Sequence, residues 1–535
     1  MITGTILNLT SQQLWEGDWA KGLAGGYGTG QTDWGFGNND LFDTKMGYLI
    51  ENWKWSTDTA KNEGTIIYQV RRGVHWSLNP SNEASRLVNG REMTTDDVVF
   101  SMKRSISGSY LDGYIYRTNI ELRTSNVTKT GPWEITVKVP LAALVTAISR
   151  FGDSLFIVPQ EVVAKYGDMN TWQRIVGTGP FMLIEYVPGS TATMLRNNNY
   201  WMKNPVGPGK GDQFPYLDGI RIPIIPDAST RQAALRTGKV DILTNLTRED
   251  SDNIKKTATK LTEKFGTSFQ GRGTPAFMRI DKPPFSDIRV RKAMLMSTDF
   301  QSLLKDYRGG QGQIITFPFS KVKEYEELYV GLGDSDFPEA AKELYVYNPD
   351  KAKQLLKEAG YPNGFKTSII LSSAATTAID YYSIVKSMWA KVGVDLALDL
   401  KDATVVTNIQ RDRNHEGLIT NTTGPVAIFY VGNPIQGTAQ YNLSMIDDPV
   451  INAAMVKVRL AAITDMHESM KIFREEIFKY TLPQAYVVPD VIGTYHNLWW
   501  PWLKNYSGEI TIGYDNPTWP AFIWYDQALK KSMGH

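Results

Sequence analysis

The chain has 535 residues, of which 42% are hydrophobic and 21% charged, with a formal net charge of +1. One core rarely serves that length, so two or three domains or lobes are expected. The near-neutral balance gives no electrostatic reason to bind nucleic acid or an anionic membrane, and no apolar run approaches the roughly 20 residues that span a bilayer.

Cysteine is absent, which removes disulfides, thiolate catalysis and cysteine-ligated metals together. Met1 runs straight into Ile-Thr-Gly-Thr-Ile-Leu with no basic region ahead of an apolar one, so no signal peptide is visible. A cytoplasmic chain and a chain whose signal has been removed both fit.

In chain order, Gly4 to Leu9 reads as a first strand. A glycine- and aromatic-rich segment follows, from Trp15 through Trp19, Tyr27, Trp34 and Phe36. Its Gly26-x-Gly28-x-Gly30 spacing lacks the strand, the helix and the GK[ST] of a phosphate loop. Thr65 to Val70 alternates as a strand does. Thr94-Thr-Asp-Asp97 has the form of a capping box, and the helix after it carries Val98, Met102 and Ile106 on one face. Asp96 and Asp97 then serve the helix terminus and are not a catalytic dyad.

Val176 to Trp201 reads VGTGPFMLIEYVPGSTATMLRNNNYW. Two β-prone runs joined by Pro188-Gly189 predict a hairpin, with a structural rather than a chemical role. Tyr216 to Ile225 gives a strand, Thr230 to Thr237 a helix closed by Gly238, and Val240 to Leu243 another strand, a β-α-β succession that suits an α/β layer. A second such region begins near Ala276. It holds helices over Asp287–Met296, from Asn348-Pro349 to Gly360, and over Tyr381–Val392. Strands are expected at Ser368–Leu371 and Val394–Leu400, and further helices begin at Asp448-Pro449 and around Met470, Phe473 and Ile477. The last fifty residues return to β-prone, tryptophan-rich sequence.

Chemistry is sparse. His75, His415, His467, His496 and His535 form no HExxH or other ligand spacing, and no GxSxG elbow or P-loop occurs. Neither a metal nor a cofactor is expected. A carbohydrate-active hydrolase using an Asp/Glu pair is the rival from another class, and it requires turnover that stops when one carboxylate is replaced.

Several stretches resemble family 5 of the extracellular solute-binding proteins of ABC importers, the peptide- and nickel-binding type. Val88 to Arg104 (VNGREMTTDDVVFSMKR), preceded by Tyr68-Gln-Val-Arg-Arg-Gly-Val-His-Trp, is one. The GTGPF…PG…RN..YW hairpin, YLDGIRIPII with GKVDIL, PFSDIRVRKAM, and YNPDKAKQLLKEAGYPNGF follow in family order. The resemblance implies an α/β, type II periplasmic-binding-protein fold with two main lobes, an additional inserted lobe and a hinge. Lobe I would gather residues 1–47, 177–272 and 490–535, lobe II would be 48–176, and lobe III 273–489. It further implies a monomer, periplasmic or extracellular, that encloses solute between lobes I and III, catalyses nothing and delivers to a membrane permease.

Peptide binders of this family hold the ligand's α-amine with an aspartate in lobe III. Here the comparable stretch, residues 417–446, carries no charged side chain, and a buried ammonium without a counter-charge is costly. Asn421, Thr422, Thr423, Asn433, Gln436, Gln440 and Asn442 are interleaved there with Phe429, Tyr430 and Tyr441, which suits a neutral oligosaccharide. Asp33 or Asp40 could supply an amine anchor instead. The two expectations, oligosaccharide and short peptide, stand near parity. The expected ligand contacts are Tyr27, Trp34, Tyr430 and Trp499 by stacking, and Asn421 and Thr422 by hydrogen bonding.

Overall fold

Alternate residues of the strand Glu63–Val70 are buried, with Ile66, Tyr68 and Val70 on the inner face, as a half-buried strand requires. The computed structural model describes residues 4–35, 41–107, 115, 119–266, 273–421, 435–437 and 441–535. Its contacts divide the chain into two units, residues 1–269 with 495–535, and residues 270–494, so the chain passes between them twice.

Within the first unit, Glu63–Val70 lies inside a four-stranded antiparallel sheet, between Ile50–Asp58 and Glu134–Pro140, with Asn126–Gly131 at the far edge. The helix Thr95–Ile106 begins with the capping box that the sequence predicts. Asp97 is fully buried, accepts the Thr94 N–H at 2.9 Å and takes both guanidinium nitrogens of Arg91 at 2.8 Å. Its charge is therefore compensated, and the acidic pair is structural: Asp96 meets Lys129 at 2.7 Å.

The predicted hairpin is present. Phe181–Val187 pairs with Thr191–Arg196, and Gly219–Pro223 adds a third antiparallel strand. The predicted first strand is not. Gly4–Thr10 is a helix whose Ile6 and Leu9, three residues apart, are buried against Phe181, Leu183, Ala192 and Met194 of the hairpin. Seven residues with apolar side chains on both periodicities are ambiguous alone, and burial on the hairpin decides the outcome.

Gly177 and Gly179 bring the chain end and the hairpin together. A Cβ on Gly177 would lie 2.0 Å from the Thr10 carbonyl oxygen, and one on Gly179 2.6 Å from the Thr10 carbonyl carbon. With hydrogen there instead, the Gly179 N–H donates to Thr10 at 3.0 Å and the Gly177 carbonyl accepts the Ser77 N–H at 2.9 Å. The hairpin's Asn197 amide closes the junction on the Gly179 carbonyl at 2.8 Å.

The aromatic segment forms core. Trp19 stacks on Phe522 at 4.8 Å with the rings 7° from parallel, and Trp34, Tyr48, Tyr200 and Phe214 complete the cluster. Nearby, Lys45 and Asp153 pair at 2.7 Å with both side chains fully buried, an arrangement in which losing either partner strands a charge. A third sheet places Tyr495–Trp499 between Ile242–Leu246 and Thr262–Gly266, all antiparallel.

The second unit is built on a five-stranded mixed sheet in the order Asp395–Lys401, Lys366–Ser372, Leu418–Thr420, Ala276–Met278, Val487–Val488. The first three are parallel, and the helix Thr376–Ala390 connects Lys366–Ser372 to Asp395–Lys401, the crossover such pairing requires. The helices Ile288–Met296, Pro349–Glu358 and Pro449–Ala462 start at Asp287, Asn348 and Asp448 caps, each accepting a backbone N–H.

Gly179→Ala is expected to destabilise the protein by about 1–3 kcal/mol, since backbone cannot move aside as a side chain can. Urea unfolding followed by circular dichroism reads this, and an unchanged midpoint would remove the junction's importance.

Candidate ligand-binding site

Each unit fastens its own ends of the two chain passages. On the side of the first unit, outbound Thr262–Gly266 and returning Tyr495–Trp499 are paired neighbours, with Gly266 opposite Tyr495. In the second unit, the Thr274 N–H donates to Asp490 Oδ2 at 2.7 Å, which ties the two passages together again. Tyr382 donates its hydroxyl to the Thr274 carbonyl at 2.7 Å, and Thr316 donates to the Asp490 carbonyl at 2.8 Å. The Val491 N–H donates to the Tyr381 hydroxyl at 3.1 Å, and the Arg308 Nε–H to the Val491 carbonyl at 2.8 Å.

Asp490 is 2% exposed, and its Oδ1 has no hydrogen-bond partner among the described residues. Burial raises its pKa above the ordinary aspartate range, opposed mainly by the Thr274 N–H and the charge of Arg308. The setting thus shifts the balance towards the protonated form.

Beside the passages in the first unit, polar side chains replace the apolar pattern. Lys264 donates its ammonium to the Asp33 carbonyl at 2.7 Å, which fastens the aromatic segment to the Thr262–Gly266 strand. Asp33 Oδ1 accepts the Gly35 N–H at 2.8 Å. Asn497 is fully buried, accepts the Asn245 N–H at 3.0 Å and donates to the Gly508 carbonyl at 3.1 Å. Asn245 itself holds a left-handed backbone, φ +59°, a conformation that asparagine tolerates better than most residues. Glu509 is buried, and burial raises its pKa. His496 contacts Glu263 at 2.6 Å, and that carboxylate is also bonded by Ser251 and Lys255. The contacts are a hydrogen-bond network centred on Glu263, and among the described residues no three His, Asp or Glu side chains converge as a ligand set.

Of the residues expected to contact ligand, Tyr27 is 51% exposed and lines a pocket of about 760 Å³ within the first unit. Trp34 is fully buried in the Trp19–Phe522 cluster. Trp499 is 5% exposed and packs edge-on against Tyr506 at 4.9 Å. Both indoles are core side chains with no ring face at the surface, so in this structure neither is placed to stack on a ligand. The two lie in separate clusters and are not brought together with Tyr27. Asn421 is half-buried, immediately after the strand Leu418–Thr420 in the second unit. Thr422 and Tyr430 lie outside the described residues, as do Asp40, Thr423, Phe429, Asn433 and Gln440.

Within the uncharged stretch, Asn442 is scaffold. Its amide donates to the Gly437 and Ile446 carbonyls at 2.9 and 2.7 Å and accepts the Ile446 N–H at 2.9 Å. Charge also reaches the stretch from outside it: Arg459 donates to Gln436 Oε1 at 2.9 Å, and Arg413 to the Gly437 carbonyl at 3.2 Å. Sequence reasoning missed Lys264, Asn497, Asp490 and Asn245. The only early signal, for Lys264, Asp490 and Asn497, was position near the points where the chain was expected to change lobes; Asn245 had none.

Solved structures share this architecture. A periplasmic binding protein from Helicobacter pylori in complex with the peptide STSA superposes with a TM-score of 0.73 at 18% identity, over 98% of this chain and 95% of that one. The fold is therefore that of the type II periplasmic binding proteins, as expected. The sequence profile of the bacterial extracellular solute-binding proteins, family 5 (middle), matches residues 46–427, and the chain belongs to that family. Relatives include heme-binding protein A of Haemophilus influenzae, 26% identical over 364 residues, 65% of this chain and 60% of the relative. A glutathione-binding protein of Pectobacterium atrosepticum is 24% identical over 359 residues, 64% of this chain and 63% of the relative. The chain thus aligns with less than two thirds of each of these two relatives.

Asp490→Asn keeps an acceptor for the Thr274 N–H and removes the ionisable group. Because the folded pKa is raised, the native state holds the extra proton and wild-type stability increases as pH falls towards 3.8. Wild type is therefore expected to gain on Asp490→Asn as pH is lowered, in chemical denaturation at a series of pH values. A constant difference would show that Asp490 is charged throughout.

His415 behaves oppositely. It is 2% exposed, and desolvation, with Arg279 adding to it, lowers its pKa from 6.5 to about 4. The unfolded chain then binds the proton first, so stability is lost on acidification between 6.5 and about 4, by about 3 kcal/mol at most. Replacement by leucine should flatten that part of the stability profile.

Proposed function

We propose that the chain is the extracytoplasmic solute-capturing component of an ABC importer and that its solute is a short peptide. The family match over residues 46–427 carries the first half of this reading. The second half is supported by the glutathione-binding relative and the peptide-bound structural neighbour. Neither these nor the haem-binding relative is named for a sugar, so the oligosaccharide half of the sequence expectation has no support and the peptide half stands. The chain binds its solute and does not transform it, which sets the hydrolase rival aside.

In this reading the inserted lobe is 48–176, lobe I takes 1–47, 177–272 and 490–535, and lobe III takes 273–489. Capture is hinge closure about the two passages fastened by Thr274 and Asp490, driven by tighter binding to the closed form. Asn421 and Thr422 hydrogen-bond the solute and Tyr430 stacks on it. The Asp33 carboxylate, fixed through Gly35 and the Lys264 contact to its own carbonyl, accepts the peptide ammonium that the uncharged stretch cannot. A membrane permease receives the solute, and the binding protein acts as a monomer outside the cytoplasm.

Isothermal titration against di- to tetrapeptides and against neutral oligosaccharides tests the solute class. Saturable binding of peptides is expected, about tenfold weaker after Asp33→Asn and after N-acetylation of the peptide. Binding of sugars alone would overturn the peptide assignment. Solution scattering is expected to show compaction on saturation with the same peptide, and an unchanged radius would count against hinge capture.

A further inference from the structure

The 760 Å³ pocket beside Tyr27 is large enough for a small organic molecule, and all its described walls come from the first unit. Two of its aromatic rings remain open, Tyr27 at 51% exposure and Trp524 at 40%. Its charges are of one sign. The described lining includes Asp212 and Asp218 and no lysine or arginine.

The acidic wall is built rather than incidental. Asn204 donates its amide to the Tyr216 hydroxyl at 2.9 Å, and Tyr216 lies 3.4 Å from Asp212 Oδ2 as donor. The loop that carries this trio is closed by the Asn204 N–H on the Asp212 carbonyl and the Gly211 N–H on the Asn204 carbonyl, both at 2.8 Å. Gly209 lies directly over it. A Cβ there would come within 2.4 Å of the Tyr216 hydroxyl, 2.9 Å of Asp212 Oδ2 and 3.1 Å of the Asn204 amide. Only glycine lets the backbone cover the network so closely.

The two carboxylates are not equivalent. Asp218 is ion-paired with Arg196, while Asp212 is exposed and receives only a neutral hydroxyl from the described residues around it. Lys530 bonds the hydroxyl of the lining Tyr525 at 2.6 Å and lies 3.5 Å from Asp241, which offsets its charge. One carboxylate beside open aromatic faces is the chemistry that holds an organic cation, by charge and by attraction to the ring quadrupole. The described lining offers an anion no lysine or arginine of its own, and a neutral ligand would make no use of the Asp212 charge.

We propose that this pocket is a second binding site, for a small organic cation carrying an alkylammonium or guanidinium group. It is separate from solute capture, because one unit supplies the described walls and occupancy requires no closure. The site stands or falls independently of the peptide assignment.

Choline and agmatine, neither of them a peptide, are titrated calorimetrically into the full chain. Saturable binding of at least one is expected, weakening as salt is raised and weakening about tenfold in Asp212→Asn and again in Trp524→Ala. Both positions are exposed, and unchanged peptide binding in each variant reports an intact fold. Scattering is expected to show no compaction with the cation bound. The proposal is overturned if neither cation binds saturably, if Asp212→Asn binds them as wild type does, or if a neutral oligosaccharide occupies the pocket with an affinity indifferent to salt.

Discussion

Two absent side chains decide where the first unit can close. At Gly177 and Gly179 the backbone lies so near Thr10 that any Cβ would overlap main-chain atoms. Thr10 ends the N-terminal helix, Ser77 follows the Glu63–Val70 sheet strand, and Phe181 opens the hairpin, and all three meet at that point. The helix needs the hairpin to bury Ile6 and Leu9, and the hairpin needs the helix to cover Phe181 and Met194. Neither is long enough to be stable alone. The close approach therefore comes before the packing it permits.

Polar groups take over where packing cannot serve. Beside the chain passages, Asn497, Asp490 and Glu509 are almost fully buried. Each places a strong acceptor or donor against backbone that belongs to no regular ladder. Apolar side chains there would leave those N–H groups unsatisfied, at a cost of about 1–3 kcal/mol each. A carboxylate is a costly choice for the purpose unless it is protonated. Burial raises the pKa of Asp490 and Glu509 alike, which shifts both towards that form.

What was legible in the sequence was local. The capping box at Thr94 to Asp97, the turn at Pro188-Gly189 and the Asn348-Pro349 helix start each have their partners within a few residues, and each forms as read. The segment Gly4–Leu9 failed because its fate depends on a hairpin some 170 residues later. The same distance hid the site. Lys264 meets Asp33 across 231 positions, Asn497 meets Asn245 across 252, and Asp490 meets Thr274 across 216. No periodicity reports such pairs. Trp34 and Trp499 show a different limit: both are buried in this structure, and composition does not distinguish tryptophan in a core from tryptophan on a stacking surface.

The two sites argued for this chain differ in what their occupancy can do. A solute that is to be delivered must change the protein, and it can do so only through contacts present in one conformation and missing in the other. Such contacts have to come from more than one unit, and the proposed reading accordingly draws on Asp33 in one and Asn421 in the other. The Tyr27 pocket does not, since all its described walls belong to the first unit. A ligand with equal affinity for two states shifts nothing between them, and that is what the proposed cation, contacting one unit alone, is expected to do. It can alter the charge and shape of one exposed surface, and that is where its consequence lies: in what this face of the protein attracts, not in how the protein closes.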